Sequence, residues 1–478
     1  MIPLFVDLDG TLIATDCLVE SLIGVVRRAP RRAPEVLLAW HRQGRPELKR
    51  LSAKIADIDP ATLPYRKPTL DLIEQARVAG RPVILATASH IDMARKVADH
   101  LGVFDDVLAS EGSINLKAHR KLEAMKAWCA QRGHDHFAYA GDANPDLAIW
   151  PECHEVIAVA PSRGLRKSMD QLGLKPRIID EGGIQLSHIF KLIRPYQWTK
   201  NLLVFVPAIL AHELSDPTIL MMAIVAFVAL SLIASAVYVV NDLLDIESDR
   251  HHRSKHKRPM ASGSVPPTAG PAIAGVLGIS GLILAVTLLP WIATGGLLLY
   301  LLLTNLYSFW LKRKAVVDVI ILASLYTLRV LTGAWACGLD PSKWLLAFSM
   351  FFFLSLAFAK RYTEVSRIES ERDADNTGRG YRLGDEAIIR AMGPSSGFVS
   401  ILVLAMFIAE ANRAWYARPE LLYLLCPLLL YWVSRVWLMA HRGELHDDPV
   451  VFALRDSASR VLLAVGLLVF FLASFTLS

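Results

Sequence analysis

Cysteine is scarce: five in 478 residues, at Cys17, Cys129, Cys153, Cys337 and Cys426. They are scattered, odd in number and without a CxxC pair, which excludes a disulfide framework and a cysteine zinc site. Reduced packing residues remain as the reading. A secretory leader is also missing. The start "MIPLFVDLDG" has no basic residue, and Asp7 and Asp9 interrupt its short apolar run. The N-terminal part is therefore expected to stay in the cytoplasm. Net charge is only +6. It does not indicate nucleic acid, because such an excess can sit in loops that flank membrane segments.

Apolar residues are what the chain has in quantity: 53% of the total, with mean hydropathy +0.37. The length suggests two or three domains, and the apolar content is uneven. Residues 1–190 read as a soluble globular domain. From about 200 onward, lipid-length apolar runs recur. Nine such segments are expected, near 201–213, 218–240, 268–289, 291–311, 316–337, 342–360, 396–412, 419–439 and 459–477. The cations take one side. Lys191, Arg194 and Lys200 precede the first segment, and Arg250, Arg253, Lys255, Lys257 and Arg258 follow the second. Lys312, Arg313 and Lys314 follow the fourth; Lys360, Arg361, Arg367 and Arg372 follow the sixth; Arg442 and Arg455 follow the eighth. The basic side is the cytoplasmic one, shared by the N-terminal domain. The expectation is a multi-pass protein of the inner (cytoplasmic) membrane. Trp291, Trp344 and Trp415 read as interfacial anchors.

In the first domain, "PLFVDLDGTL" is a strand entering a turn with two aspartates, and "RPVILATAS" is a strand ending at Thr87. "KLEAMKAWC" begins a helix with Lys121, and "FAYAGDANPD" ends a third strand at Asp142 and Asp146. Such alternation implies an α/β parallel sheet with helices on both faces. Polar residues at the carboxyl ends of its strands converge on the ligand crevice. Phosphoryl transfer needs these types: a nucleophile, a proton donor, a divalent cation and cations for phosphoryl oxygens. "DLDGTL" with "GDANPD" resembles the haloacid dehalogenase (HAD) phosphatase superfamily over residues 1–180. The resemblance implies that Asp7 is the nucleophile and Asp9 the general acid/base. Thr87 and Lys121 would hold the phosphoryl group, and Asp142 would bind Mg²⁺ with Asp146, Asp7 and Asp9 around it. Where the family often has glycine three residues before this lysine, the chain has Ala118. Residues 16–80 would form a helical cap. Its "RRAPRRAP" reads as a solvated or membrane-facing surface.

Residues 181–199 link this domain to the membrane region, expected over 200–478. There "NDLLDIESDRHHRSKHKRP" follows a lipid-length apolar run. Asp242, Asp245 and Asp249 are spaced by three and four, which puts them on one face of a helix, with Asn241 at its rim. Clustered carboxylates become favourable when they share a divalent cation, and Mg²⁺ takes a few carboxylates plus phosphate oxygens. Lys255 and Arg258 can neutralise the outer phosphates of a diphosphate. His251, His252 and His256 read as a solvated loop.

NDxxDxxxD, the apolar segments and "RPMASG" resemble the UbiA superfamily of intramembrane prenyltransferases, an all-α membrane fold. That family carries a second aspartate motif after its sixth segment; here the region reads "AKRYTEVSRIESERD". "RPYQWTKN", "SKWLL" and "AKRYTEV" resemble the family's decaprenyl-phosphate phosphoribosyltransferase branch. The resemblance implies phosphoribosyl pyrophosphate as donor, a polyprenyl phosphate lipid as acceptor and Mg²⁺ in both domains. Arg194, Gln197, Lys200, Asn201, Lys312, Lys360, Arg361 and Tyr362 lie in or near these stretches and would bind substrate. Two alternatives stand: an aromatic prenyltransferase, and a hydrolase-like half that is regulatory. The oligomeric state, including a homo-oligomer, is left open.

Overall fold

The structure, a computed structural model, describes residues 1–478 except 113, 181–184, 253, 367–378, 383, 411–415, 446–451, 454 and 475–478. Arg253, Arg367, Arg372 and Trp415 thus lie outside the described residues, as does part of the expected linker. The chain packs into two compact units: Met1–Ile193 with Tyr238–Gly275, and Arg194–Val237 with Val276–Ser478.

The first unit is built on six parallel strands in the order β3-β2-β1-β4-β5-β6. They are β1 (Leu4–Val6), β2 (Val83–His90), β3 (Asp106–Ser110), β4 (Ala138–Gly141), β5 (Glu155–Val159) and β6 (Arg177–Ile179). Leu4 pairs with Val83 on one side and Ala138 on the other. Successive side chains of β1 alternate between two cores, as strand geometry requires. Leu4 and Val6 join Leu72, Ile73, Leu85 and Val97, whereas Phe5 joins Ile84, Met125, Trp128 and Tyr139. Both faces are covered, so the strands are near-continuous apolar runs. The strand order reverses about β1, and ligands bind at such a switch point.

Between β1 and β2 the chain forms α1 (Cys17–Arg28), α2 (Ala33–Gln43) and α3 (Arg45–Ala56), then α4 (Lys67–Val78). Asp16 caps α1 by accepting from the amides of Leu18 and Val19 at 2.8 and 3.1 Å. Val25, Val36 and Leu48 give the first three helices a small core of their own. Next come α5 (Ile91–Leu101), α6 (His119–Arg132), α7 (Arg163–Gln171) and α8 (Leu186–Ile193). Lys121 is thus the third residue of its helix rather than the first.

The remainder is helical: α9 (Val206–Leu210), α10 (Pro217–Leu244), α11 (Ile246–His251), α12 (Gly270–Leu288), α13 (Trp291–Phe309), α14 (Val317–Ala336), α15 (Lys343–Val365), α16 (Glu386–Ala409), α17 (Leu425–His441) and α18 (Ser457–Ser474). Among the described residues, eight helices are long and apolar enough to span a membrane, namely α10 and α12 to α18 with their flanking turns. The segment expected near 201–213 is not a ninth. It is a 3₁₀ run, Pro195–Phe205, followed by the five residues of α9. Pro195 and Pro207 withhold backbone donors. Lys200 and Asn201 turn inward, so the stretch cannot present a uniformly apolar surface. The run lies directly on α14 because Gly333 has no side chain: a Cβ there would sit 2.0 Å from the Val204 carbonyl oxygen.

Candidate functional site

Asp7 follows β1 directly, and Asp142 follows β4. Asp7 Oδ2 accepts from Lys121 Nζ at 2.7 Å, and Lys121 also donates to the Tyr139 hydroxyl at 2.9 Å. Tyr139 donates to Asp146 at 2.7 Å. Asp146 in turn accepts from the amides of Asp142 and Ala143, which fixes the turn after β4. Burial alone would lower the Lys121 pKa, but Asp7 and Asp146 outweigh it and raise the value above the usual lysine range. Burial, then repulsion from Asp7 and Asp146, pushes the Asp142 carboxyl well up. Carboxylates that raise one another in this way suit a shared cation. Oxygens of Asp7, Asp142 and Asp146 all lie within 4.8 Å of one another, the spacing of a divalent-ion site. Gly10, at φ +75°, makes room: a Cβ there would lie 2.0 Å from Asp142 Oδ2.

Asp9 stands apart from that group. Its Oδ1 accepts from the Cys17 amide at 2.7 Å and its Oδ2 from the Ser89 hydroxyl at 2.5 Å. Burial, reinforced by Asp16, pushes its carboxyl up to about 6, a value suited to exchanging protons near neutrality. These residues line a cavity of about 680 Å³, with Trp40, Arg45 and Lys49 of the cap on its wall. Lys49 and Asn115 were not anticipated. Nor was Ser89. The strand does not stop at Thr87 but runs to His90, and Ala88 and Ser89 form the wall there. The Thr87 hydroxyl accepts from the Ser89 amide at 3.0 Å, and Thr87 is fully buried. Ala118, at the N-terminus of α6, holds φ 52°, a region that disfavours side chains.

The second aspartate group is not on one continuous helix face. α10 ends at Leu244, Asp245 is the break, and Asp249 sits on α11. Asp242 and Asp249 are nevertheless brought to one point. Arg258 Nη1 donates to Asp242 Oδ1 at 3.1 Å and to Asp249 Oδ2 at 2.6 Å, with both carboxylates nearly enclosed. Burial pushes the Asp249 carboxyl up, and Arg258 partly offsets it. Two carboxylates within reach of one cationic nitrogen also have a spacing that a divalent ion can bridge. Asn241 is half-buried in the last turn of α10, and Lys255 is exposed on a 3₁₀ turn. His251, His252 and His256 are exposed, as expected. Two arginines of the "RRAPRRAP" stretch do more than face solvent: Arg27 and Arg28 pair with Glu247.

In the second unit, Arg194 is left-handed at φ 53° and opens the 3₁₀ run that carries Gln197, Lys200 and Asn201. Lys200 is buried with its Nζ 5.8 Å from the Tyr326 ring centroid. Asn201 donates to Ser231 at 2.9 Å and accepts from Arg329 Nε at 3.0 Å. Arg329 also donates to the Leu325 carbonyl and the Tyr300 hydroxyl, with its guanidinium over the Tyr300 and Tyr326 rings. It is 6% exposed, and all its partners among the described residues are neutral. The signal for it was one arginine inside "LASLYTLRVLTGAWA", because a membrane-depth cation without a counter-ion marks function.

Arg361 is nearly enclosed: its guanidinium is 1% exposed and paired with Asp318 at 2.7 Å and with Glu364. Tyr362 bonds Glu386 and His441 at 3.0 and 2.9 Å. Lys360 and Lys312 are half-buried, at the ends of α15 and in the turn after α13. Arg379, unanticipated, reaches Glu364 and Tyr307. An apolar cavity of about 630 Å³ lies among Leu203, Val206, Phe352, Leu404, Trp432 and Phe470.

Residues 201–455 match the UbiA prenyltransferase family, and residues 4–149 match the haloacid dehalogenase-like hydrolases. The protein y4nM of Sinorhizobium fredii is 38% identical over 461 residues, covering 96% of this chain and 88% of its own length. Decaprenyl-phosphate phosphoribosyltransferase of Mycobacterium tuberculosis is 32% identical over 285 residues, covering 57% of this chain and 90% of that protein. A solved UbiA homolog from Archaeoglobus fulgidus, bound to GPP and Mg²⁺, has 15% identity and a TM-score of 0.47, over 59% of this chain and 99% of that one. This chain is an integral membrane protein of the UbiA prenyltransferase family, with a haloacid dehalogenase-like hydrolase domain at its N-terminus.

Proposed function

We propose that the membrane domain transfers 5-phosphoribose from phosphoribosyl pyrophosphate to a polyprenyl phosphate, and that the N-terminal domain then hydrolyses a phosphomonoester. The observation that carries the reading is the Asp242–Arg258–Asp249 bridge, a pair of carboxylates and a cation gathered at one point. Asp242, Asp245 and Asp249 would hold Mg²⁺ on the donor's diphosphate. That ion supplies charge to stabilise the leaving oxygens. Arg258 is then free to turn from the carboxylates to the diphosphate, with Lys255 beside it. In the transfer, the bond from ribose C1 to the diphosphate oxygen breaks, and a bond forms from C1 to a phosphate oxygen of the acceptor. The acceptor oxygen is already anionic, so no general base is required.

Donor and acceptor together bring more phosphate than a prenyl diphosphate does. Buried cations in place of a second aspartate motif suit that load. Lys200, Arg329 and Arg361 are the buried candidates within the helical region, Arg361 being paired with Asp318. The apolar cavity is large enough for several isoprene units of the lipid.

In the hydrolase domain, Asp7 attacks phosphorus and forms an aspartyl-phosphate, while Asp9 protonates the departing alkoxide. Asp9, now ionised, takes a proton from the water that cleaves this acyl phosphate. Lys121 neutralises the phosphoryl oxygens; Asp7, Asp142 and Asp146 would hold Mg²⁺, which would add positive charge there. The basic loops after α10, α13 and α15 assign the donor site to the cytoplasmic side of the inner membrane, and the hydrolase domain is assigned the same side because residues 238–275 pack with it. The test is donor choice. Purified protein should transfer from phosphoribosyl pyrophosphate to polyprenyl phosphate and should not join a prenyl diphosphate to an aromatic acid. Efficient prenylation would replace this reading with the aromatic prenyltransferase.

A further inference from the structure

Residues 246–268 come from the membrane half of the sequence, yet they pack within the first unit. Arg250, on α11, makes a two-pronged ion pair with Glu20 on α1, at 2.6 and 3.2 Å. Their side chains are 6% and 4% exposed. Arg250 also donates to the Ala261 carbonyl, which ties α11 to the loop that follows it. Glu20 accepts from the Thr15 hydroxyl at 2.6 Å, and the Thr15 carbonyl accepts from the Gly10 amide at 3.0 Å. Glu20 therefore braces both ends of the turn that holds Asp9, since the first amide of α1, at Cys17, is the donor to Asp9 Oδ1. Gly263, at φ +77°, abuts Ala14; a Cβ there would lie 2.7 Å from the alanine's. Beyond it, Pro266 and Thr268 form part of the same cavity wall as Asp7, Asp9, Lys121 and Asp142.

We propose that the aspartate-rich segment of the membrane domain is a working part of the hydrolase site. Arg250 acts through Glu20 as a positioning residue for Asp9, and Pro266 and Thr268 close the cavity. Asp249, the neighbour of Arg250, is held by Arg258. A diphosphate that draws Arg258 away shifts α11, and the shift reaches Asp9 through the Arg250–Glu20 pair. Hydrolysis thus senses whether the transferase's donor site is filled. The proposal rests on the phosphatase reading above.

The test uses the full chain in detergent, with p-nitrophenyl phosphate as substrate. Glu20→Gln or Arg250→Gln alone strands a buried charge and can destabilise the fold. The double variant Glu20→Gln/Arg250→Gln leaves none. It should keep its melting temperature and KM, and its kcat should fall about tenfold or more, as for a misplaced catalytic group. With magnesium present throughout, added inorganic diphosphate should change the wild-type rate by at least about fivefold and leave the double variant unchanged. Wild-type kcat in the double variant would overturn the positioning role, and a wild type indifferent to diphosphate would overturn the coupling. Binding of beryllofluoride, a phosphoryl analogue that caps an aspartate, separates this from the phosphatase reading. If no phosphomonoester is hydrolysed but beryllofluoride binds about tenfold more weakly to the double variant, the positioning stands and the phosphatase falls. Equal binding in that case sinks both.

Discussion

Asp318→Asn takes the charge from a fully buried carboxylate. That carboxylate holds Arg361 at 2.7 Å and accepts the Tyr381 hydroxyl at 2.7 Å. Arg361 stays charged at 1% exposure, with Glu364 as its remaining anion. Removing one partner of a buried pair costs roughly 3–5 kcal/mol. Glu364, a third exposed, keeps part of the compensation, so the lower end applies, about 3 kcal/mol. For a unit of this size that is a fall of roughly 6–12 °C in melting temperature. The assay is thermal unfolding in detergent without added divalent ions. Glu364→Gln is the control, expected to cost less than about 1 kcal/mol because its carboxylate reaches solvent. Asp318→Leu with Arg361→Met should recover most of the loss, since neither charge is then stranded. A melting temperature for Asp318→Asn within about 2 °C of wild type, a cost under roughly 1 kcal/mol, would refute the buried pair.

Other expectations follow from the two sites. Asp242→Ala or Asp249→Ala should abolish glycosyl transfer while hydrolysis of a soluble ester continues; transfer at wild-type rate in both would misplace the donor site. Asp9→Asn should raise the melting temperature at pH 7.5. The raised carboxyl, near 6 against 3.8 unfolded, penalises the folded state once it ionises, by at most about 3 kcal/mol. That penalty is absent below the unfolded value and complete above the folded one, so the gain should shrink as pH falls from 6 towards 4; a gain independent of pH would contradict it. Ala118→Gly should stabilise by about 1 kcal/mol, as relief of the φ 52° backbone exceeds the flexibility glycine adds. A destabilised Ala118→Gly would contradict the strain.

What the sequence revealed depended on range. Asp7, Asp142 and Asp146 were legible because Asp7 and Asp142 sit at the carboxyl ends of buried strands, where strand ends of parallel sheets converge, and Asp146 lies in the turn that follows β4. Ser89 was not anticipated because the end of β2 lies three residues further on than its apolar run indicated, and strand ends are poorly marked by composition. Asp242, Asp245 and Asp249 were legible as a group. The break at Asp245 was not, since no proline or glycine announces it. Arg329 was absorbed into a membrane segment because one cation barely changes the hydropathy of a 20-residue window. The Glu20–Arg250 pair lies 230 residues apart in sequence, beyond any periodicity or spacing argument.

The most direct measurement gives the protein, in membranes, phosphoribosyl pyrophosphate labelled both in the ribose carbons and in the 5-phosphate, with polyprenyl phosphate as acceptor. Wild type should carry ribose label into the lipid phase and release the 5-phosphate label as inorganic phosphate. Asp7→Asn should carry both labels into lipid, because asparagine cannot act as the carboxylate nucleophile. Asp242→Ala should carry neither. Lipid free of ribose label in the wild type would contradict phosphoribosyl transfer, and equal label ratios in wild type and Asp7→Asn would mean that the hydrolase does not act on the transferase's product.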